Sequence, residues 1–353
     1  MPHRTRTLQN VLLCLVSIAL STMGLRRVLP SSEGDLLQAK LHSMTSRTGE
    51  DAFNVAFIGS SRTYHGFIPE VFDQVMAEKG FAMRSYNLGI SGLRIEGTLD
   101  ALESLQAREP QNLDWVFMDP ESTKMIVKPQ RRRMKGVVRW HDPRTTWWML
   151  RYLMASDEPA ETQLELGSEM ALACCYQIAN LGGGVPLIDE LLERSVDEET
   201  TAYRIGPRKD GFRAKDHATG PAVQRAHQKF LETFPAFRRE VNRFKKLSLE
   251  SEPLTPEALP LFRGLEQVVR DMGAEPIFVI VPSQNLQGEL IDAHAKGEVT
   301  TLFRYNDAKR YPEFYTKESR WEVAHLSLHG AQLFTRRLAE DFAAFLEARE
   351  SDQ

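Results

Sequence analysis

Two serines follow a short apolar run in Val55-Ala56-Phe57-Ile58-Gly59-Ser60-Ser61. A serine hydroxyl becomes a useful nucleophile only when an imidazole takes its proton and a carboxylate fixes that imidazole's tautomer. The chain offers such a pair near its far end, Glu322 and His325 in Trp-Glu-Val-Ala-His, close enough in sequence to meet within one turn. The chemistry these residues suit is acyl transfer through a covalent serine ester, with Ser60 and Ser61 both open as the attacking group. His329 is a second histidine in the same segment, but it falls in the first turn of the final predicted helix. Asp119 and Glu121 close another apolar run, where they are read as capping or orienting loops, and no metal site is assigned.

These groups need elements that bring them together. Short apolar runs predict strands at Asn54–Ser60, Met83–Gly89, Leu113–Pro120, Glu275–Gln284 and, more weakly, Thr300–Asp307. Helical spacing of apolar residues predicts helices over Ile68–Gly80, Arg94–Pro110, Thr255–Gly273, with Thr255 as N-cap, and Ser327–Glu350. Strands that alternate with helices imply parallel pairing, so the expected fold is a three-layer α/β/α, doubly wound parallel sheet. In such sheets binding sites gather at the carboxyl ends of the strands, where the serine turn and the Glu322–His325 segment both fall. Between residues 124 and 254 the alternation stops. That stretch reads as a large helical insertion or lid, with Trp147, Trp148 and Tyr152 expected in helix packing and Gly206–Arg213 as a polar loop. The expected organisation is therefore an α/β domain of residues 51–123 and 255–348, interrupted by 124–254.

The order of these blocks resembles that of the SGNH hydrolases, the GDSL-like esterases. Gly59-Ser60-Ser61 resembles their Gly-Asp-Ser block with serine in place of aspartate, which implies Ser61 as nucleophile. Asn-Leu-Gly-Ile-Ser-Gly, residues 87–92, resembles their second block and implies an oxyanion N–H from Gly92 beside that of Ser61. Glu-Val-Ala-His-Leu resembles their last block and implies His325 as base and Glu322 as its partner. The third block of the family carries an asparagine that donates to the oxyanion. Here the segment reads Phe-Met-Asp-Pro-Glu-Ser-Thr-Lys, and Thr123 is the nearest candidate by count. Loss of one such donor typically costs about 3 kcal/mol, roughly a hundredfold in rate. Arg62, His65 and Asn87 are candidate substrate contacts. The resemblance implies no cofactor.

The first residues add a location. Arg4 and Arg6 precede the uncharged stretch Val11–Leu25, which Arg26-Arg27 closes. This segment predicts a signal peptide or membrane anchor over residues 1–27, a linker over 28–50, and export of the rest to the cell envelope. A net charge of −4 with 26% charged residues excludes a general attraction to nucleic acid. Three cysteines, two of them adjacent, form neither a disulfide framework nor a metal motif. Together with the resemblance, these features imply a membrane-tethered serine esterase or O-acyltransferase acting on acyl esters of envelope or extracellular polysaccharide, beside a membrane-bound O-acyltransferase. The alternative is a non-catalytic envelope protein of the same fold that binds a glycan or a membrane partner.

Overall fold

The computed structural model of the protein describes residues 36–123, 138, 140–178, 204–247 and 252–351, with scattered positions between 13 and 24. The anchor expected over 1–27 therefore lies almost wholly outside the described residues. Among the described residues no helix is long and apolar enough to cross a membrane.

Five strands form one all-parallel sheet: β1 (Val55–Gly59), β2 (Ser85–Asn87), β3 (Trp115–Asp119), β4 (Glu275–Ile280) and β5 (Thr301–Arg304), in the order β2-β1-β3-β4-β5. The doubly wound α/β fold expected from the alternation is thus present. Its strand order reverses between β1 and β3, the position at which such sheets open a crevice. β1 is buried along its whole length because Val-Ala-Phe-Ile offers an apolar side chain to both faces. On one face Phe57 and Phe117 meet Phe67, Phe72 and Phe342 at ring-centroid distances of 4.9 to 5.6 Å. Burying each such ring contributes about 1.5–3 kcal/mol.

Chain order gives α1 (Leu36–Thr45), α2 (Ser61–Gly66), α3 (Pro69–Glu78), α4 (Ile95–Gln106), α5 (Pro143–Ala155), α6 (Ala160–Ile178), α7 (Pro221–Leu247), α8 (Leu259–Asp271), α9 (Gly288–Ala295) and α10 (Leu328–Ser351). α10 packs on α3 and α2, and α8 packs on α4 and β4. α8 starts later than expected. Thr255 caps the turn before it, accepting the Ala258 N–H at 3.3 Å and donating to Glu289 at 2.6 Å.

Two boundaries differ from the sequence reading. The expected linker 28–50 contains α1, in which Lys40, Leu41 and Met44 are buried on one stripe. The expected insertion 124–254 is divided: the chain forms two compact units, Met1–Gln38 with Ile126–Asp197, and Ala39–Met125 with Glu198–Gln353. The physical reason is α7, whose Phe230, Phe237 and Val241 belong to the same apolar cluster as α3, α10 and the sheet. In the other unit α5 packs on α6 through Met149, Leu153, Leu166 and Met170, which are buried. There Tyr152 is buried as expected, whereas Trp147 is 61% exposed.

Candidate active site

β1 ends at a glycine for a steric reason. A Cβ on Gly59 would lie 2.3 Å from Thr63 Oγ1 and 2.8 Å from the Asp119 carbonyl oxygen. This closeness lets the chain turn sharply into α2. Ser60 is the N-cap: it is buried, and its Oγ accepts the Arg62 N–H at 3.3 Å. Ser61 is the first helical residue and is partly exposed. Its Oγ lies 2.7 Å from His325 Nε2, and His325 Nδ1 is hydrogen-bonded to Glu322 Oε1. A carboxylate can only accept, so Nδ1 carries the hydrogen and Nε2 is left to accept from Ser61. The two candidate serines are thus separated by geometry, one capping α2 and one facing His325.

The loop carrying Glu322 and His325 is closed on itself and pinned to the sheet. Trp321 N–H donates to the His325 carbonyl at 3.1 Å, and Ser327 N–H to that of Ser319 at 3.0 Å. Ala324 N–H donates to the second Glu322 oxygen at 3.0 Å. Arg320, 1% exposed, donates from Nε to the Phe314 carbonyl at 2.8 Å and from Nη2 to that of Pro282, just past β4, at 3.0 Å. Its guanidinium carbon stands 4.8 Å from the Tyr315 ring centre, and burial brings its pKa down to about 10. Burial opposes ionisation of Glu322, but bonds from His325 and Ala324 and the nearby charge of Lys215 leave its carboxyl below the ordinary range.

A strap, residues 204–217, lies against this machinery. Tyr64 Oη donates to the Arg204 carbonyl at 2.5 Å, and the Asn87 N–H donates to that of Asp210 at 2.8 Å. His65 Nδ1 bonds the Arg213 carbonyl at 2.7 Å, and Asp216 accepts the Leu328 N–H at the start of α10, also at 2.7 Å. Lys40 Nζ donates to the carbonyls of Asn87, Gly89 and Gly211 at 2.7 to 3.0 Å and stands 3.9 Å from the Tyr64 ring centre. The polar loop expected over Gly206–Arg213 is therefore bolted to α1, α2 and the turn after β2.

Four expected site residues have partners within the fold. Asn87 is fully buried; its Nδ2 donates to the carbonyls of Thr63 at 2.9 Å and Phe67 at 2.7 Å, and its Oδ1 accepts from Gly89 N–H at 2.8 Å. It ties the second block to α2. His65 is 6% exposed, stacks on Tyr64 and meets the His325 ring edge-on at 5.6 Å. Burial drops its pKa to about 3, so it stays neutral beside the base. Arg62 is paired with Asp119 at 3.4 Å and Glu121 at 2.9 Å, its side chain 8% exposed. Thr123 is buried, with its hydroxyl on Glu289, so that proton is not free for an oxyanion.

The second-block glycines differ. Gly89 is the one packing demands, since a Cβ there would lie 2.3 Å from the Tyr64 nitrogen. Gly92 sits on an exposed turn with φ +81° and open space where a Cβ would be. That turn is held against the nucleophile turn by Ile90 N–H, which donates to the Gly59 carbonyl at 2.9 Å. Sequence reasoning missed Lys40, Arg320 and Asp216. Only Lys40 carried a signal, its place on the stripe of α1 that also holds Leu41 and Met44.

A serine, histidine and glutamate relay at the switch point of a parallel α/β sheet is the class of site these elements build. No protein-family model matches the chain, and no curated protein matches it.

Proposed function

We propose that the chain is a serine esterase or O-acyltransferase of the SGNH kind. The observation that carries this reading is the chain of contacts from Ser61 Oγ through His325 to Glu322, placed where β1 and β3 part. In the first half-reaction His325 Nε2 takes the Ser61 proton as Oγ bonds the ester carbonyl carbon. The tetrahedral intermediate then collapses, its bond to the leaving alkoxide breaks, and that oxygen takes the proton from His325. In the second half, water or a sugar hydroxyl gives its proton to His325 and attacks the acyl-serine. Ser61 recovers the proton, and an acid or a new ester leaves. Glu322, kept ionised, holds Nδ1–H throughout and stabilises the imidazolium formed at each step.

The proposed substrate is an acyl ester of envelope or extracellular polysaccharide, and the proposed partner a membrane-bound O-acyltransferase. Both rest on the SGNH resemblance. The proposed location is outside the cytoplasm, supported by Arg4, Arg6 and the uncharged stretch Val11–Leu25. Hydrolysis of p-nitrophenyl acetate tests the chemistry. Ser61→Ala and His325→Ala are each expected to lower kcat by 10³-fold or more, with the thermal midpoint little changed. Equal rates in all three proteins would reject it.

A further inference from the structure

Attack of Ser61 on an ester turns the carbonyl oxygen into an oxyanion, and this charge needs donors fixed in advance at the site. Thr123 is spent on Glu289, which leaves buried donors beside the serine that lack a partner. Arg62 is the adjacent residue in α2. Its side chain is 8% exposed, and its Nη2 holds both Asp119 Oδ2 and Glu121 Oε1 at the carboxyl end of β3. The Arg62 Nε–H is buried and has no hydrogen-bond partner among the described residues. Leaving such a donor empty costs about 1–3 kcal/mol, so an unused N–H on a guanidinium whose Nη2 is doubly paired calls for an explanation.

The anchoring is itself specific. Glu121 adopts φ +63°, a left-handed conformation uncommon for a residue with a side chain, and its carboxylate is on Arg62. Asp119 pairs edge to edge with Gly59 in the sheet, so the guanidinium is bound to the strand end that neighbours the nucleophile turn. Gln287 donates to the other Asp119 oxygen at 3.3 Å. Two carboxylates balance the charge and hold Nη2, and the Nε–H is without a partner among the described residues.

We infer that Arg62 is a further catalytic residue, whose Nε–H donates to the carbonyl oxygen of the acyl ester as Ser61 attacks it. This rests on the serine-nucleophile reading above. Lysine at 62 keeps the charge and can keep the pairs with Asp119 and Glu121, but it loses the guanidinium fork. Arg62→Lys is therefore expected to lower kcat for p-nitrophenyl acetate by about a hundredfold. KM should stay within about threefold, and affinity for phenylboronic acid, whose serine adduct carries an anionic oxygen, should fall in parallel with kcat. A kcat within about fivefold of wild type, or a loss of kcat without loss of boronate affinity, would overturn the inference.

A second measurement needs no variant. In a crystal structure of the wild-type protein with a phosphonate bound to Ser61, the phosphoryl oxygen is expected about 2.7–3.1 Å from Arg62 Nε. A separation beyond about 4 Å would overturn the assignment even if Arg62→Lys did not fold. Failure of wild type to hydrolyse the ester would reject the serine reading and this one with it. An active wild type with an equally active Arg62→Lys would reject only this one.

Discussion

Two buried cations, Lys40 against α2 and Arg62 within it, are built in opposite ways. Lys40 is fully buried and bonds three neutral carbonyls, one for each N–H of an ammonium. Burial pulls its pKa well down, and the nearby charge of Asp210 pulls against it. Arg62 has its charge balanced by two carboxylates and still keeps a donor without a partner. A cation with every donor used joins segments, here α1, the turn after β2 and the strap. A cation with balanced charge and a spare donor is prepared for a further acceptor. In the proposed reading Lys40 assembles the site and Arg62 takes part in its chemistry.

The largest effect on stability that would break this contrast is at Lys40. Lys40→Met leaves three buried carbonyls unpaired, and unfolding in urea is expected to show a loss of about 2–3 kcal/mol. The folded fraction should keep a kcat within about threefold of wild type. A kcat loss as large as that expected for Arg62→Lys would erase the distinction between the two cations.

His65 sharpens the contrast through pH. Its ring bonds the strap and stays neutral, with a folded pKa of about 3 against 6.5 for a free histidine. Between those values the unfolded chain binds the proton and the folded chain does not, so this group removes stability as pH falls below about 6.5. His65→Gln lacks that term. The stability of wild type relative to His65→Gln should therefore fall by about 1.4 kcal/mol for each pH unit between roughly 6 and 4. Parallel stability curves across that range would show that the ring does not remain neutral when folded.

Lys215 is a cation on the strap, and it gives the smallest effect. It is only half buried, and its charge helps hold Glu322 ionised. Lys215→Met is expected to lower kcat by about two- to fivefold, with the difference shrinking in high salt as screening replaces the lost charge. A tenfold or larger loss that ignores salt would place Lys215 with Arg62 instead.

Much of the frame was legible because its signals are local. β1, β3 and β4 are continuous apolar runs, and a strand buried on both faces needs no other mark. The relay was legible too, since Glu322 and His325 lie within one turn and the serine follows a strand. What was not legible depends on partners distant in sequence. Thr123 was placed by counting along a loop, which cannot reveal that α9 brings Glu289 to its hydroxyl. In the sequence the strap shows only a polar loop, because it is held mainly through backbone carbonyls, which every sequence offers. Arg62 and the pair Asp119 and Glu121 were each visible, but only the register of β1 on β3 brings them together.

The central claim is that Ser61, and not its neighbour Ser60, is the nucleophile. The direct measurement is labelling with a fluorophosphonate probe followed by peptide mapping. Wild type and Ser60→Ala should carry the adduct on Ser61, while Ser61→Ala and His325→Ala should carry none. An adduct on Ser60, or equal labelling of Ser61→Ala and wild type, would contradict the claim.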